Sequence, residues 1–262
     1  MIIDTHTHLD DKSYFDDLDD VIKRANEGGV KGFLIPGADI DDLARAREIA
    51  HRYPNVYFAA GIHPYNIDGY NEEILKKYLK DEKCIAVGEC GLDYFRLPKD
   101  EKDIQEEKRA QKDVFIKQIK LAREVNKPLI IHIRDANDDS KQILDENGAA
   151  KVGGVLHCYN ASSHLLDLSK SGFYFGIGGV LTFKNAKKLV EILPKIPKER
   201  LILETDSPYL TPHPHRGKRN EPFYTTLVAK KMAEVLDMEE KKIEELTTNN
   251  AINLFNSLKS VI

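Results

Sequence analysis

Residues 1–10 read MIIDTHTHLD, a short apolar run that leads into two histidines separated by one residue. In an extended strand, residues i and i+2 point the same way, so His6 and His8 are expected to project together from the end of a first strand. The combination of a short apolar run with a polar strand end recurs along the chain. The histidine pair is therefore interpreted together with the other polar strand ends of this repeat.

The repeat consists of short runs rich in β-branched or aromatic residues, each followed by a charged amphipathic stretch. Such alternation is typical of βα units around a parallel sheet. The predicted strands are MIIDTH (1–6), KGFLIP (31–36), VYFAAGI (56–62), CIAVGE (84–89), PLIIHI (128–133), GGVLHC (153–158), FYFGIG (173–178) and RLILETD (200–206).

Apolar residues recur at helical spacing in NEEILKKYLKD (71–81), DVFIKQIKLAREV (113–125) and FYTTLVAKKMAEVL (223–236). Asn71 and Asp41 are predicted helix N-caps. Eight strands alternating with helices in 262 residues predict an α/β protein, a (β/α)8 TIM-type barrel forming a single domain over residues 1–262. A doubly wound open sheet is the alternative.

Composition excludes some classes of protein. No apolar run approaches the roughly 18 residues of a membrane span, and the first residues lack the features of a signal peptide, so we expect no membrane association and a cytoplasmic location. The three cysteines have no CxxC spacing and predict neither disulfides nor a thiolate metal site. A net charge of -4 means that any nucleic acid must be bound by a local basic patch or through metal ions.

Six side chains that commonly bind metals fall at predicted strand ends. The carboxyl ends of all strands in a barrel face one mouth, where active sites are built. A single buried histidine is more often a hydrogen-bonded core residue, and a carboxylate at a strand end is often a helix N-cap. Six together favour metal binding, because burying them is costly unless cations pair with them. The predicted ligands are His6, His8, Glu89, His132, His157 and Asp206.

Six ligands exceed one tetrahedral site and suit two divalent ions bridged by a carboxylate, for which Glu89 is the predicted residue. The predicted partition is His6, His8, Glu89 and Asp206 around one ion, and Glu89, His132 and His157 around the other. Two ions about 3.5–4 Å apart lower the pKa of a shared water and stabilise the attacking and leaving oxygens, which is hydrolytic chemistry. Mixed imidazole and carboxylate ligands are compatible with magnesium, manganese or zinc.

The ordered series of motifs resembles the TatD family of metal-dependent deoxyribonucleases, within the amidohydrolase-type barrel superfamily. The motifs are THTHLD (5–10), GIHPY (61–65), GECGLDYF (88–95), LIIHIRDA (129–136), LHCY (156–159), LETDSPYL (203–210), RGKRNEP (216–222) and TTNNAINLF (247–255). The resemblance implies a TIM-type barrel and a divalent-metal-dependent nuclease that often trims DNA from the 3′ end. It also implies metal ligands at the six positions above and further site residues at His63 and Glu204.

Glu204 lies two residues before Asp206, so both carboxylates are expected at the mouth, where they push their pKa values apart unless metal neutralises one. Asp206 is predicted to be a ligand and the proton acceptor, with Glu204 orienting a ligand or serving as an alternative base. A salt bridge at the barrel rim is the other interpretation of Glu204. His63 is predicted to donate to a phosphate oxygen; a structural histidine bonded to backbone is equally compatible with the residues alone.

A basic loop follows the last strand. Phosphate sites in barrels frequently use the last βα loops, so Arg216, Lys218 and Arg219 are predicted phosphate contacts, with Arg134 as a further one. A merely solvated charged loop is the alternative. Unpaired bases are expected to stack on aromatic residues after the strands, although such rings often only pack under loops. These residues are Tyr65, Tyr94, Phe95, Tyr159 and Tyr209. Cys90 and Cys158 are predicted to point into the core.

The sequence thus predicts a metal-dependent deoxyribonuclease, a 3′-to-5′ exonuclease on single-stranded or frayed ends that uses two divalent ions to activate water. The expected partner is DNA, with other nucleic acids as an alternative, and we expect a monomer. One alternative is hydrolysis of D-aminoacyl-tRNA esters or small esters and lactones, although barrels of that sort often bridge their ions with a modified lysine where this chain has Glu89. A non-enzymatic alternative is a metal-dependent nucleic-acid binding module.

Overall fold

A computed structural model of the protein describes residues 1–261, with side chains described as far as residue 259. The predicted domain boundary at residue 262 lies outside this range. One parallel sheet contains eight strands in sequence order. The strands are β1 Ile2–Asp4, β2 Val30–Ile35, β3 Val56–Ala60, β4 Cys84–Asp93, β5 Leu129–Arg134, β6 Gly154–Leu156, β7 Phe173–Ile177 and β8 Leu201–Leu203.

The first and last strands meet, which makes the sheet a nearly closed barrel. The Thr5 N–H donates to the Leu203 carbonyl oxygen at 3.2 Å, and Thr7 forms a parallel bridge with Ser207 just beyond the strands. Each strand from β1 to β7 pairs in parallel with the strand that follows it in the sequence. This closure confirms the predicted barrel and excludes the doubly wound alternative, in which the strand order would reverse.

The helices cover the outside of the sheet. They are α1 Leu18–Glu27, α2 Leu43–Arg52, α3 Glu72–Leu79, α4 Glu101–Val125, α5 Asn137–Glu146, α6 Lys187–Ile192, α7 Thr225–Leu236 and α8 Glu240–Leu254. A 3-10 segment, Ser163–Ser171, takes the place of a helix between β6 and β7. None of the helices in the described part of the chain is both long and apolar enough to cross a membrane.

The two predicted helix N-caps have different outcomes. Asn71 caps α3 as predicted, because its side chain accepts a hydrogen bond from the Ile74 N–H at 3.2 Å. The prediction of Asp41 as a cap is wrong: Asp42 occupies the N-cap position of α2, and its side chain makes no capping hydrogen bond. Two successive aspartates before one helix leave the register of a cap undetermined in the sequence.

The core has two layers separated by the sheet. The larger lies between the strands and helices α1–α7, around residues such as Phe33 and Phe115. The smaller contains residues of all eight strands together with Phe255 and Leu258, and none from α1–α7. It therefore fills the inside of the barrel, where the end of α8 and the residues after it cover the amino ends of the strands.

The strand β4 extends to Asp93, four residues beyond its predicted end, and runs close to β5. A Cβ at Gly91 would clash with the His132 carbonyl oxygen, and Gly91 has a φ of +147°, which disfavours other residues. Only glycine therefore lets β4 approach β5 at this height. This close approach places Glu89 and Asp93 next to the end of β5.

Candidate metal centre and active site

All six predicted ligands lie together at the carboxyl mouth of the barrel, contributed by β4, β5 and the segments that follow β1, β6 and β8. Their centre is Glu89, which is 3% exposed and has imidazoles on both sides. Its Oε2 lies 3.2 Å from His6 Nε2 and 4.0 Å from His8 Nε2. Its Oε1 lies 2.9 Å from His132 Nδ1 and 3.2 Å from His157 Nε2. Each carboxylate oxygen thus faces one histidine pair, as a bridging ligand requires.

Asp206 completes the side of the site formed by the two histidines after β1. Its Oδ1 lies 3.6 Å from His6 Nε2 and 3.5 Å from His8 Nε2. The residue has a backbone φ of +57°, which is uncommon for residues other than glycine. Its N–H donates to the His6 carbonyl oxygen at 2.9 Å. The backbone after β8 is therefore held in a sparsely populated conformation that brings this carboxylate to the histidines.

Potential ligand atoms lie within 4.8 Å of one another in three groups: His6, His8 and Asp206; His6, Glu89 and His157; and His63, Asp93 and His132. The first two groups share His6. The third contains Asp93, which the sequence analysis did not assign. The number of ions and their partition between the groups stay predictions.

Asp93 is the main site residue that sequence reasoning missed. Its Oδ2 lies 2.9 Å from His132 Nε2, and its Oδ1 accepts a hydrogen bond from the Phe95 N–H at 2.9 Å. Burial lowers the pKa of His132, but hydrogen bonds with Asp93 and Glu89 outweigh it and raise that pKa above its ordinary value. A signal existed, since Asp93 follows Glu89 by an even number of residues and would share its side of a longer strand.

Several buried polar atoms of the site have no hydrogen-bond partner among the described residues. They include both ring nitrogens of His6, Nδ1 of His157 and Oε2 of Glu204. The His6 and His157 rings stack at 3.7 Å between centroids. Leaving a buried polar group unpaired costs about 1–3 kcal/mol, so such atoms persist where another partner is expected. Unpaired imidazole nitrogens beside carboxylate oxygens fit divalent cations.

The charges of the site are strongly coupled. Burial would raise the pKa of Glu89, but His157 and His6 outweigh burial and hold this pKa well below its ordinary value. Burial lowers the pKa of His8, whereas its hydrogen bond with Asp206 and the charge of Asp206 raise it to about 9. Without cations, the Glu89 and Asp206 carboxylates are thus held in the ionised form beside imidazoles such as His8, and bound cations would take the place of imidazole protons.

Glu204 is fully buried and holds the end of β6. Its Oε1 accepts a hydrogen bond from the Cys158 N–H at 2.6 Å and lies 3.4 Å from His157 Nδ1. A Cβ at position 176 would clash with Glu204 Oε2, so Gly176 leaves the room for this carboxylate. These contacts exclude a salt bridge at the barrel rim and favour a role in orienting His157.

His63 lies at the edge of the site. Its Nε2 lies 3.7 Å from Glu89 Oε1, and its Nδ1 accepts a hydrogen bond from the Tyr65 N–H at 3.1 Å. Burial lowers the pKa of His63 to about 4, so the ring is neutral near pH 7. Because Nδ1 is an acceptor, the proton of the neutral ring is on Nε2, which faces the site as a donor.

The predicted phosphate contacts differ in availability. Arg134 is exposed, and its guanidinium stacks 3.5 Å from the centroid of the Phe95 ring. Lys218 is exposed, and exposed Arg216 donates to the Thr211 carbonyl oxygen at 2.8 Å. Arg219 instead forms ion pairs, at 2.6 Å with Asp17 and 3.0 Å with Glu221.

Two carboxylates thus already pair with the Arg219 guanidinium, and its phosphate contact stays a prediction. The phosphate contacts of Arg134, Arg216 and Lys218 also stay predictions.

The aromatic rings predicted to stack on bases differ in solvent exposure. Tyr65, Phe95 and Tyr209 are 40%, 55% and 54% exposed, whereas Tyr159 is buried. Tyr94 is half-buried and donates to Asp139 Oδ2 at 2.7 Å.

The two cysteines beside predicted ligands differ as well. Cys90 lies in the core as predicted. Cys158 does not point into the core: at a φ of +43° it leaves the strand alternation and lines a cavity beside the site.

Comparisons with known proteins identify the family of this chain. The family model described as TatD related DNase matches residues 3–256. The chain is 46% identical over 259 residues to the uncharacterized metal-dependent hydrolase YabD of Bacillus subtilis (strain 168), covering 97% of this chain and 99% of that protein. It is 33% identical over 267 residues to the 3'-5' ssDNA/RNA exonuclease TatD of Salmonella typhimurium (strain LT2), covering 97% and 98%.

A solved structure shows the same architecture. The crystal structure of YJJV, a TatD homologue from Escherichia coli K12, superposes with a TM-score of 0.89 at 29% identity, covering 97% of this chain and 98% of that chain. A closed barrel with imidazoles and carboxylates gathered at its carboxyl mouth defines the class of metal-dependent barrel hydrolases. Within that class, the chain belongs to the TatD related DNase family.

Proposed function

We propose that this metal-dependent hydrolase is a deoxyribonuclease that removes nucleotides from the 3′ end of single-stranded or frayed DNA. The observation that carries the proposal is the arrangement around Glu89, with one histidine pair on each carboxylate oxygen and unpaired ring nitrogens beside it. The printed activity of the Salmonella relative supports DNA or RNA as the substrate.

The chain's own side chains would hold two divalent cations. His6, His8, Glu89 and Asp206 would bind one, and Glu89, His132 and His157 would bind the other. When bound, the cations supply the Lewis acidity that makes hydroxide available near neutral pH and offsets negative charge at phosphorus.

Three residues would manage protons and position around the phosphodiester. Asp206 would accept a proton from the attacking water, since its carboxylate faces the open mouth beside His6 and His8. His63 would donate a hydrogen bond from Nε2 to a phosphate oxygen. Glu204 would keep the His157 ring in place. The new P–O bond forms as the bond to the upstream 3′-oxygen breaks, and that oxygen leaves with a proton.

The experiment begins with chelator-treated protein and single-stranded DNA labelled at its 5′ end. Magnesium, manganese and zinc are added separately, and the products are resolved at single-nucleotide length. A ladder that shortens from the 3′ end in one metal, and that disappears with chelator, is expected. DNA that remains intact in every metal while the protein binds the ions would overturn the nuclease proposal. D-aminoacyl-tRNA esters and small lactones would then be assayed with the same samples.

A further inference from the structure

A cavity of about 540 Å³ opens from one side of the metal centre and is lined by the end of β5 and by the segments that follow β6, β7 and β8. His132, His157 and Asp206 form its inner end. Its volume lies within the range of about 300–1,000 Å³ typical of small-molecule sites. The metal centre therefore continues into a space large enough for a group attached to the reacting phosphate.

The chemistry of the cavity wall is mostly apolar. Side chains from the loop after β6, from the segment between β7 and the end of α6, and from the loop after β8 contribute to it: Tyr159, Ala161, Val180, Ala186, Leu189 and Leu210. An extended phosphate backbone would find few charge partners against such a wall, whereas a nucleobase and its sugar would bury apolar area there. The cavity thus suits a nucleoside better than a run of phosphates.

The wall is built in place by the fold. The Tyr159 hydroxyl donates to the Ser162 carbonyl oxygen at 2.6 Å, and the Tyr159 N–H donates to the Gly176 carbonyl oxygen at 3.0 Å. A Cβ at Gly179 would clash with the Leu210 carbonyl oxygen, so the loops after β7 and β8 touch directly. Contacts within the protein thus hold the cavity wall in place, which lowers the cost of binding.

Two polar side chains of the cavity lining are free to bind a ligand. Asn185 and Lys188 are exposed residues of the lining, and neither side chain has a hydrogen bond or ion pair among the described residues. Asn160, by contrast, already donates to Asn137 Oδ1 at 2.8 Å and accepts from the Ser162 N–H at 3.1 Å. An amide and an ammonium group beside an apolar wall match the polar edge of a nucleobase.

We propose that this cavity binds the terminal 3′ nucleoside of the substrate, with the base against Leu189 and Leu210 and its polar edge at Asn185 and Lys188. This inference rests on the proposed function, since it presumes that the phosphate of the terminal nucleotide lies at the metal centre. The product that leaves the site is then a 5′-deoxynucleotide, whose base was held throughout the reaction.

The first test is binding rather than turnover. The probes are 2′-deoxyadenosine 5′-monophosphate and 2-deoxyribose 5-phosphate, which share the sugar phosphate and differ in the base. Metal-loaded protein is expected to bind the nucleotide about tenfold more tightly, because the base buries apolar area against the cavity wall. Equal affinity for the two probes, measured by calorimetry, would overturn the proposal.

Two matched pairs of variants locate the base. Asn185→Trp narrows the cavity from an exposed position and is expected to reduce the preference to less than about twofold, whereas Lys184→Trp, one residue away and outside the lining, keeps it. Lys188→Gln is expected to lower the preference about threefold relative to Lys187→Gln, its exposed neighbour outside the lining. Retention of the full preference by both cavity variants would also overturn the proposal.

A turnover experiment separates this inference from the proposed function. Wild-type protein is given single-stranded DNA that ends either in a normal 3′ nucleotide or in a 3′ abasic sugar. The abasic end is expected to be removed about tenfold more slowly. Equal removal of both ends would contradict the cavity proposal and leave the nuclease proposal standing. Removal of neither end, with the nucleotide still preferred in binding, would contradict the nuclease proposal alone.

Discussion

The two ends of the barrel treat buried polar groups in opposite ways. At the amino end, Lys127 Nζ donates to the Leu79 carbonyl oxygen at 2.7 Å and also to that of Cys84. Asn250 Nδ2 donates to the carbonyl oxygens of Lys198 and Leu201, each at 2.8 Å. At the carboxyl end, the ring nitrogens of His6 and a carboxylate oxygen of Glu204 are buried without partners.

The amino end of the barrel thus contributes to stability, whereas the carboxyl mouth is available for function. Side chains at the amino end satisfy backbone groups where strands begin, so their binding capacity is already used by the protein itself. Side chains at the mouth keep polar atoms that can still bind a ligand, and leaving these atoms unpaired lowers stability in the absence of a ligand. The same contrast leads to five experiments, ordered from the largest expected effect to the smallest.

The largest effect is expected for Glu89→Ala, which removes the carboxylate at the centre of the mouth. Turnover should be abolished, and metal affinity should fall by more than about 100-fold, because ligands on both sides of the site lose their common partner. Metal content measured by mass spectrometry and the DNA ladder are expected to fall together. Full turnover by this variant would show that Glu89 is not part of the catalytic machinery.

Glu204→Ala is expected to lower the rate about 10- to 100-fold and to spare metal binding. The loss arises because the His157 ring and the Cys158 N–H lose the carboxylate that holds them. Glu204→Gln keeps the shape and an oxygen acceptor and should recover part of the rate, with metal stoichiometry unchanged in both variants. A parallel loss of metal in Glu204→Ala would instead make Glu204 a ligand.

At the amino end, Asn250→Leu should lower the free energy of unfolding by about 2 kcal/mol, because two carbonyl oxygens lose their donor. Urea denaturation monitored by circular dichroism gives this value, and turnover per folded molecule should stay at the wild-type level. A change in metal affinity or in the DNA ladder would mean that the two ends are coupled, contrary to the contrast drawn above.

Phe95→Ala tests the exposed ring that stacks on Arg134 at the mouth of the barrel. The ring is 55% exposed beneath the Arg134 guanidinium, so its loss should weaken binding of single-stranded DNA by about 1–2 kcal/mol. The effect should appear in KM for oligonucleotides, with kcat retained. The control is Phe223→Ala, which removes an exposed ring just before α7. It should leave KM unchanged.

The smallest effect concerns acid stability at the amino end. Burial would raise the pKa of Asp81, but hydrogen bonds from Arg47, the Lys83 N–H and His51 lower it to about 2. A depressed carboxyl pKa stabilises the fold above the ordinary value near 4, and this contribution disappears as the pH falls toward 2. Asp81→Asn should therefore cost about 1 kcal/mol at pH 6, allowing for solvent screening, and only a small fraction of that at pH 2, where the folded-state carboxyl is half ionised. A loss that is the same at both pH values would contradict this assignment.

Much of the barrel could be predicted because its signals are local. Each apolar run is followed by polar residues that the fold places at one mouth, so six candidate ligands were visible without any contact information. The start of α4 was not visible, because residues 101–112 (EKDIQEEKRAQK) are almost wholly polar and give no apolar periodicity. Strand β4 was ended too early at Glu89, and Asp93 was therefore assigned no role.

Contacts between distant parts of the chain explain the remaining differences. Arg219 pairs with Asp17 across 202 positions, which no local pattern reveals. Cys158 departs from strand alternation because its backbone adopts a left-handed conformation just after β6, and this places it in the cavity wall. The cavity itself is formed by the end of β5 and by the segments after β6, β7 and β8, and it has no signature in any one of them.

The apolar plug at the amino end has a consequence for biosynthesis. Phe255 and Leu258 fill the inside of a barrel that begins with Ile3, and the Thr248 hydroxyl donates to the Met1 carbonyl oxygen at 2.8 Å. A nascent chain emerging from the ribosome therefore exposes the inner faces of its early strands until the last helix is available. Closure of the barrel is a late, long-range event. Molecular chaperones that shield apolar surface would act before it.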